Sequence, residues 1–285
     1  MSSAIDVPAS PQSGSSSLSG SPPTLDPSTL ALLNSFIASK TDEERRFNEL
    51  AEEAAARVAG LSLEGDGEDE GANDKPMMSV DEYRSVFSED WQLSQFWYTT
   101  PFAMRFARTL HSMCTPTTSI AFLCCPTAFV AFQHIEPLKN ARLLEVDGRF
   151  SVLTPRHYVP YDMEDPTALP AYLTEGVDIA VVDPPFLNEG MLCSPQYTNV
   201  NVVKTLRQIM RPSAKLIVLT STSVSEILER LYDSPPLGPL RRTRIEVLHG
   251  QLRNDFACWA SWEGSEELDL VEDGESKEEK EEKEV

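Results

Sequence analysis

The chain has 285 residues and a formal net charge of -21, from 45 acidic and 24 basic side chains. The charge is uneven: residues 41–75 carry 12 acids and 4 bases, residues 263–285 carry 12 acids and 3 bases, and residues 76–262 carry 19 acids against 16 bases. Acidic appendages repel phosphates, so no stable nucleic acid complex is expected; they suit solubility or a basic protein partner.

Pro and Ser crowd residues 1–25, which read as a disordered leader. Asp26-Pro27 is a helix start, a cap followed by proline at the first helical position. Leu30, Leu33, Phe36 and Ile37 form an apolar stripe. Thr41-Asp-Glu-Glu44 reads as a capping box that restarts the helix, and Phe47, Leu50, Ala54 and Val58 carry the stripe to about residue 59. We expect a helical arm over 26–60, an acidic linker over 61–78, a folded body over 79–262 and a disordered acidic tail over 263–285. Within the body, Glu89–Tyr98 packs four aromatic residues into ten, and Pro101 opens a helix to about His111. Apolar strands are predicted at 119–124, 141–146, 157–161, 177–182 and 214–220, with helices at 200–210 and 223–232. Two last strands, at 242–249 and 256–262, are joined by a turn. Strands alternating with helices and closing in a hairpin predict an open α/β sheet of seven strands.

The five cysteines, at 114, 124, 125, 193 and 258, contain no CxxC, which reads as a reduced, intracellular protein. No apolar run approaches the ~20 residues of a membrane span. The four scattered histidines make no metal set, so no metal is expected.

The richest feature is Asp183-Pro184-Pro185-Phe186 after the apolar run 177–182. Open α/β sheets bind ligands beyond the C-terminal ends of their strands. A rigid Asp-Pro-Pro-aromatic tip there suggests a polar clamp beside an aromatic wall, set against the plainer reading of a proline turn. The first strand leads into Cys124-Cys125-Pro126-Thr127, and no GxGxxG occurs anywhere, which argues against an ordinary dinucleotide site. Asp147, beyond the second strand, has the position of an acid that accepts from ribose hydroxyls; Glu145 competes with it, its direction ambiguous. Asp162, beyond the third strand, is placed to accept from an adenine amino group. The aromatic segment supplies either a pocket wall or a packed cap.

Trp91-Gln-Leu-Ser-Gln-Phe-Trp-Tyr98, Asp147-Gly-Arg-Phe150, Tyr161-Asp162 with Pro166, Asp183-Pro-Pro-Phe186 and Asn254-Asp-Phe256 together resemble the elongation factor 1A lysine methyltransferases, a family formerly described as adenine-N6 DNA methyltransferases. The resemblance covers about 80–262. It implies an open seven-strand class I methyltransferase sheet, Rossmann-like, with an antiparallel last strand. It further implies S-adenosylmethionine as cofactor and a lysine amine of elongation factor 1A as substrate; the protein is expected to be cytoplasmic and monomeric. Carried over by position, Asp183, Pro184 and Phe186 are the acceptor site. Cys125, Pro126, Thr127, Asp147 and Asp162 hold the cofactor, and Trp91, Phe96, Trp97 and Tyr98 flank the substrate. Two alternatives remain: an adenine-amino methyltransferase on DNA or RNA, and a non-catalytic acidic adaptor.

Overall fold

A computed structural model describes residues 26–61, 78–90, 93–185, 194–252 and 255–271. The chain divides into two compact units, Met1–Asp42 and Glu43–Val285. Helix α1 (Pro27–Leu61) crosses that division. Asp26 caps it, its carboxylate accepting from the backbone N–H groups of Ser28 and Thr29 at 2.9 and 3.1 Å. The expected restart at Thr41 does not occur: the Thr41 hydroxyl donates to the Ile37 carbonyl at 2.9 Å, one turn back, and the helix runs on. A threonine can satisfy its hydroxyl inside a helix this way, so a capping sequence does not oblige a break.

The second unit holds α2 (Val80–Val86), α3 (Thr100–His111), β1 (Ile120–Leu123), α4 (Pro126–Ile135), β2 (Ala141–Glu145), α5 (Phe150–Leu153), β3 (Tyr158–Pro160), β4 (Val177–Val182), α6 (Pro195–Ile209), β5 (Met210–Ser221), α7 (Ser225–Leu231), β6 (Arg241–Glu246) and β7 (Phe256–Ala260). A reciprocal capping box opens α2: the Ser79 hydroxyl accepts from the Glu82 N–H, and the Glu82 carboxylate accepts from the Ser79 N–H. Proline in the first turn opens α3, α4 and α6, where a missing N–H costs nothing.

The strands form one seven-stranded sheet in the order β3-β2-β1-β4-β5-β7-β6. Pairing is parallel from β3 to β5, and β7 lies antiparallel between β5 and β6. The central strands alternate between two cores. Ile120, Phe122, Ile179, Val181, Ile217 and Leu219 pack in one layer with side chains of α2, α3 and α4. Ala121, Leu123, Ala180, Val182, Leu216 and Val218 pack in the other with those of α6 and α7. Burial on both faces is why these strands read as continuous apolar runs.

Beyond β7 the chain stays on the body. Ser265 is buried, and Leu268 and Leu270 pack against the first core. The Leu268 carbonyl accepts from the Arg244 N–H of β6 at 2.9 Å, and the Val271 N–H donates to the Thr109 hydroxyl at 3.0 Å. Part of the stretch expected to be a disordered tail thus folds onto the sheet edge, because two leucines spaced through its acids pack on the core. Among the described residues, no helix is long and apolar enough to cross a membrane, and no group of three or more His, Cys, Asp or Glu side chains is placed to hold a metal ion.

Candidate active site

The C-terminal ends of β1, β2, β3 and β4 open onto one cavity of ≈ 240 Å³. The β1–α4 connection, Cys124 to Thr127, forms its floor. Glu145 and Val146 enter from β2, Tyr161 to Glu164 from β3 and Asp183 to Pro185 from β4, while residues 93–98 and His249, Leu252 and Phe256 cover it. This is where an open α/β sheet binds ligands.

Asp183 is fixed at its backbone and its side chain. Its N–H donates to the Leu123 carbonyl at 3.1 Å, which extends the β1–β4 ladder one residue past the strand. Its Oδ2 accepts from the Tyr98 hydroxyl at 2.5 Å. Burial, and next the Asp183 charge, push the Tyr98 phenol well above its ordinary value of 10.0, so it remains a donor. Nε2 of His249 lies 3.9 Å from the same Oδ2. The His249 side chain is 3 % exposed, its ring centroid 4.9 Å from that of Tyr98 and 4.3 Å from that of Phe256. Its Nδ1 is buried and has no hydrogen-bond partner among the described residues.

The two acids near β2 separate clearly. Asp147 is absent from the cavity wall. Its Oδ1 accepts from the Arg149 N–H at 3.0 Å, folding the side chain back in an Asx turn, and the Arg149 guanidinium grips both carboxylate oxygens at 2.6 to 3.0 Å. The residue expected as the ribose-side acid is therefore committed to its own loop. Glu145, left ambiguous by the sequence, lines the cavity. Its Oε1 accepts from the Val146 N–H at 3.0 Å and the Asp147 N–H at 3.3 Å. Burial raises the Glu145 carboxyl from 4.5 to about 7, and the Asp147 charge adds to that rise. Nε2 of Gln95 reaches both acids, at 3.4 Å to Glu145 and 3.3 Å to Asp147.

The first-strand loop has no glycine; Cys124 itself takes the left-handed conformation, with φ +54°. Cys125 is buried, its thiol donating to the Val181 carbonyl at 3.4 Å. Burial first, then nearby carboxylates, keep both thiols well above their ordinary value, so they are neutral. Pro126 and Thr127 open α4 along the cavity floor. Asp162 borders the cavity while exposed, its Oδ1 accepting from the Glu164 N–H at 2.8 Å.

Of the aromatic wall, Phe96 and Tyr98 border the cavity. Trp97 borders it as well, but its indole is committed to the core: Nε1 donates to the Phe87 carbonyl at 2.8 Å and the ring packs on Tyr83 at 5.1 Å. Trp91 and Phe186 lie outside the described residues. Gln95 and His249 were not singled out from sequence. Gln95 sat unweighed inside the aromatic segment, and His249 is 66 residues of chain away from Asp183. The antiparallel bridge of Tyr98 with His249 is what brings the histidine in.

The strand order, the reversed β7 and a cavity beyond the parallel strands define a class I methyltransferase fold. A family model described as probable N6-adenine methyltransferase matches residues 89–264, and the chain belongs to that family. Its relatives include a protein-lysine N-methyltransferase of Caenorhabditis elegans, 30% identical over 185 residues that cover 61% of this chain and 79% of the relative. The protein-lysine N-methyltransferase EFM5 of Saccharomyces cerevisiae is 28% identical over 253 residues, covering 85% of this chain and 93% of that one. The EEF1A lysine methyltransferase 1 of Danio rerio is 28% identical over 176 residues, covering 60% and 97%.

Proposed function

We propose that this chain is an S-adenosylmethionine-dependent protein-lysine N-methyltransferase whose substrate is elongation factor 1A. The observation that carries the reading is the Asp183 tip. One carboxylate oxygen is held by Tyr98 at 2.5 Å, inside a cavity walled by aromatic side chains, in a chain whose relatives are named for lysine methylation. The reading places the enzyme in the cytoplasm as a monomer, with residues 79–271 as catalytic domain, 26–60 as helical arm and 61–78 as linker.

The cavity suits the cofactor. Glu145 offers a buried carboxylate to ribose hydroxyls in place of Asp147, Asp162 an acceptor to the adenine amino group, and Cys125 to Thr127 a floor of backbone and small side chains. When bound, the cofactor supplies an activated methyl group. The rest falls to the protein. A lysine amine has a reference pKa of about 10.4 and must lose a proton before it can react. Asp183 and the Pro184 carbonyl orient the nitrogen as acceptors, and Phe96 and Tyr98 flank the alkyl stem. Alignment of the reacting atoms accounts for much of the rate.

The test is transfer of labelled methyl from S-adenosylmethionine into a methylation-naive cell extract. The expected result is a protease-sensitive band at the mass of elongation factor 1A. With Asp183→Ala the rate falls ~10²-fold or more while calorimetry shows cofactor binding largely retained. Nuclease-sensitive label would move the assignment to adenine, the base named in the family description. Absence of both label and cofactor binding would favour the adaptor.

A further inference from the structure

The Asp183 clamp raises a chemical difficulty. A carboxylate beside an amine stabilises the ammonium form, which has no electron pair to react. The group that takes the proton must lie close enough to Asp183 to share its field. Among the described residues, His249 satisfies this: its Nε2 lies 3.9 Å from Asp183 Oδ2.

We propose that His249 is the proton acceptor for the substrate amine, with Asp183 holding both cations of the exchange. This rests on the lysine reading above. An N–H bond of the ammonium breaks and leaves its electron pair on nitrogen. The proton bonds to Nε2, the imidazole becomes imidazolium, and total charge is unchanged. Asp183 lies beside the ammonium before the step and beside the imidazolium after it, so one carboxylate faces the cation at both ends of the transfer. The proton then passes to water, and the neutral ring is ready for another turnover.

The surroundings fit the role. Tyr98 donates to Oδ2, the oxygen nearest His249, so Oδ1 is left to meet the amine. The ring is held by packing between Tyr98 and Phe256, and its backbone by the bridge to Tyr98. No carbonyl among the described residues meets Nδ1 to fix the tautomer. Among the described residues, Asp183 from β4 and the neutral phenol of Tyr98 ahead of α3 lie beside the ring, and the neutral thiols of Cys125 and Cys258 act in turn on Tyr98. Phe256 of β7 brings no charge. Arg84 of α2 approaches the next residue: a Cβ on Gly250 would lie 3.0 Å from its guanidinium.

The experiment measures single-turnover methyl transfer to purified elongation factor 1A, for wild type, His249→Asn and His249→Gln. It runs from about pH 6 to about pH 10, spanning the reference values of imidazole and amine. Binding of S-adenosylhomocysteine by each variant reports an intact fold and cofactor site. We expect both variants to bind it normally and to transfer methyl ~10²–10⁴-fold more slowly near pH 7. The deficit should close toward about pH 10, where the amine sheds its proton unaided. A deficit of equal size at every pH would mean a packing role and overturn the proposal, as would variants that keep pace with wild type near pH 7. Wild-type enzyme that labels no lysine overturns the lysine reading and this one together. Wild type that labels lysine beside unimpaired variants overturns this one alone.

Discussion

At Asp183, one hydroxyl sets the geometry of the clamp. The Tyr98 phenol is fully buried and donates to a charged acceptor. A hydrogen bond of that kind contributes about 1.5–3 kcal/mol. Tyr98→Phe keeps the ring and its packing but releases the carboxylate. Methyl transfer should therefore fall ~10- to 100-fold, with cofactor affinity unchanged; single-turnover rates beside calorimetry decide this. Glu145 carries a different signature. Its carboxyl is raised from 4.5 to about 7, chiefly by burial, so the folded protein keeps a proton that the unfolded chain has released in that window. Stability contributed by this group is full below the lower value and declines as pH rises through the window, by about 3 kcal/mol in all. Urea denaturation of wild type and Glu145→Gln across that range should show wild type losing ground to the variant. Hydrogen bonds from ribose hydroxyls favour the ionised form, so cofactor binding near pH 7 should release a proton, visible as buffer-dependent heats.

Among the elements, the β1–α4 connection departs most from an ordinary nucleotide loop. Sequence reading found the missing glycines and stopped there. The structure puts Cys124 in the left-handed region instead, a conformation that costs a residue with a Cβ about 1–2 kcal/mol. Cys124→Val adds a branched Cβ to that strain and should destabilise the fold by about 2 kcal/mol, measured by chemical denaturation. Local signals told true where one element decided its own form. The apolar run 177–182 is β4 at both ends, and Pro101 stands at the start of α3. They failed where a side chain had two options. Thr41 looked like a cap and bonds backward inside α1, while at Asp147 the sequence did not show that the carboxylate also closes its own turn. The capping box of α2, Ser79 with Glu82, was legible and went unread.

Across the whole molecule, the alternation of strands and helices was enough to expect an open sheet of seven strands, and the antiparallel last strand came with the resemblance, while the order of the strands was not read from the sequence. The convergence of Asp183, Tyr98 and His249 was not available in the same way. It depends on a bridge between residues 98 and 249, and long-range pairing leaves no local trace. The segment after β7 makes a global prediction. Ending the chain at Trp262 removes the half-buried Leu268 and Leu270 along with the Arg244–Leu268 hydrogen bond. The apolar loss alone should cost about 2 kcal/mol. Ending it at Val271 should leave the melting temperature unchanged within a degree or two; thermal melts of the two truncated chains test the difference.

That same segment governs how copies of the protein treat one another. β6 ends the strand order, and a bare outer strand presents unpaired N–H and carbonyl groups to any strand that arrives. Leu268 occupies one of those groups, and Glu266 and Glu267 set acidic charge against Arg241 and Arg244 of the same strand. Proteolysis just after Trp262 would do more than loosen one molecule. It would create a surface able to recruit another, and a clipped fraction in a concentrated sample should drive self-association out of proportion to its abundance.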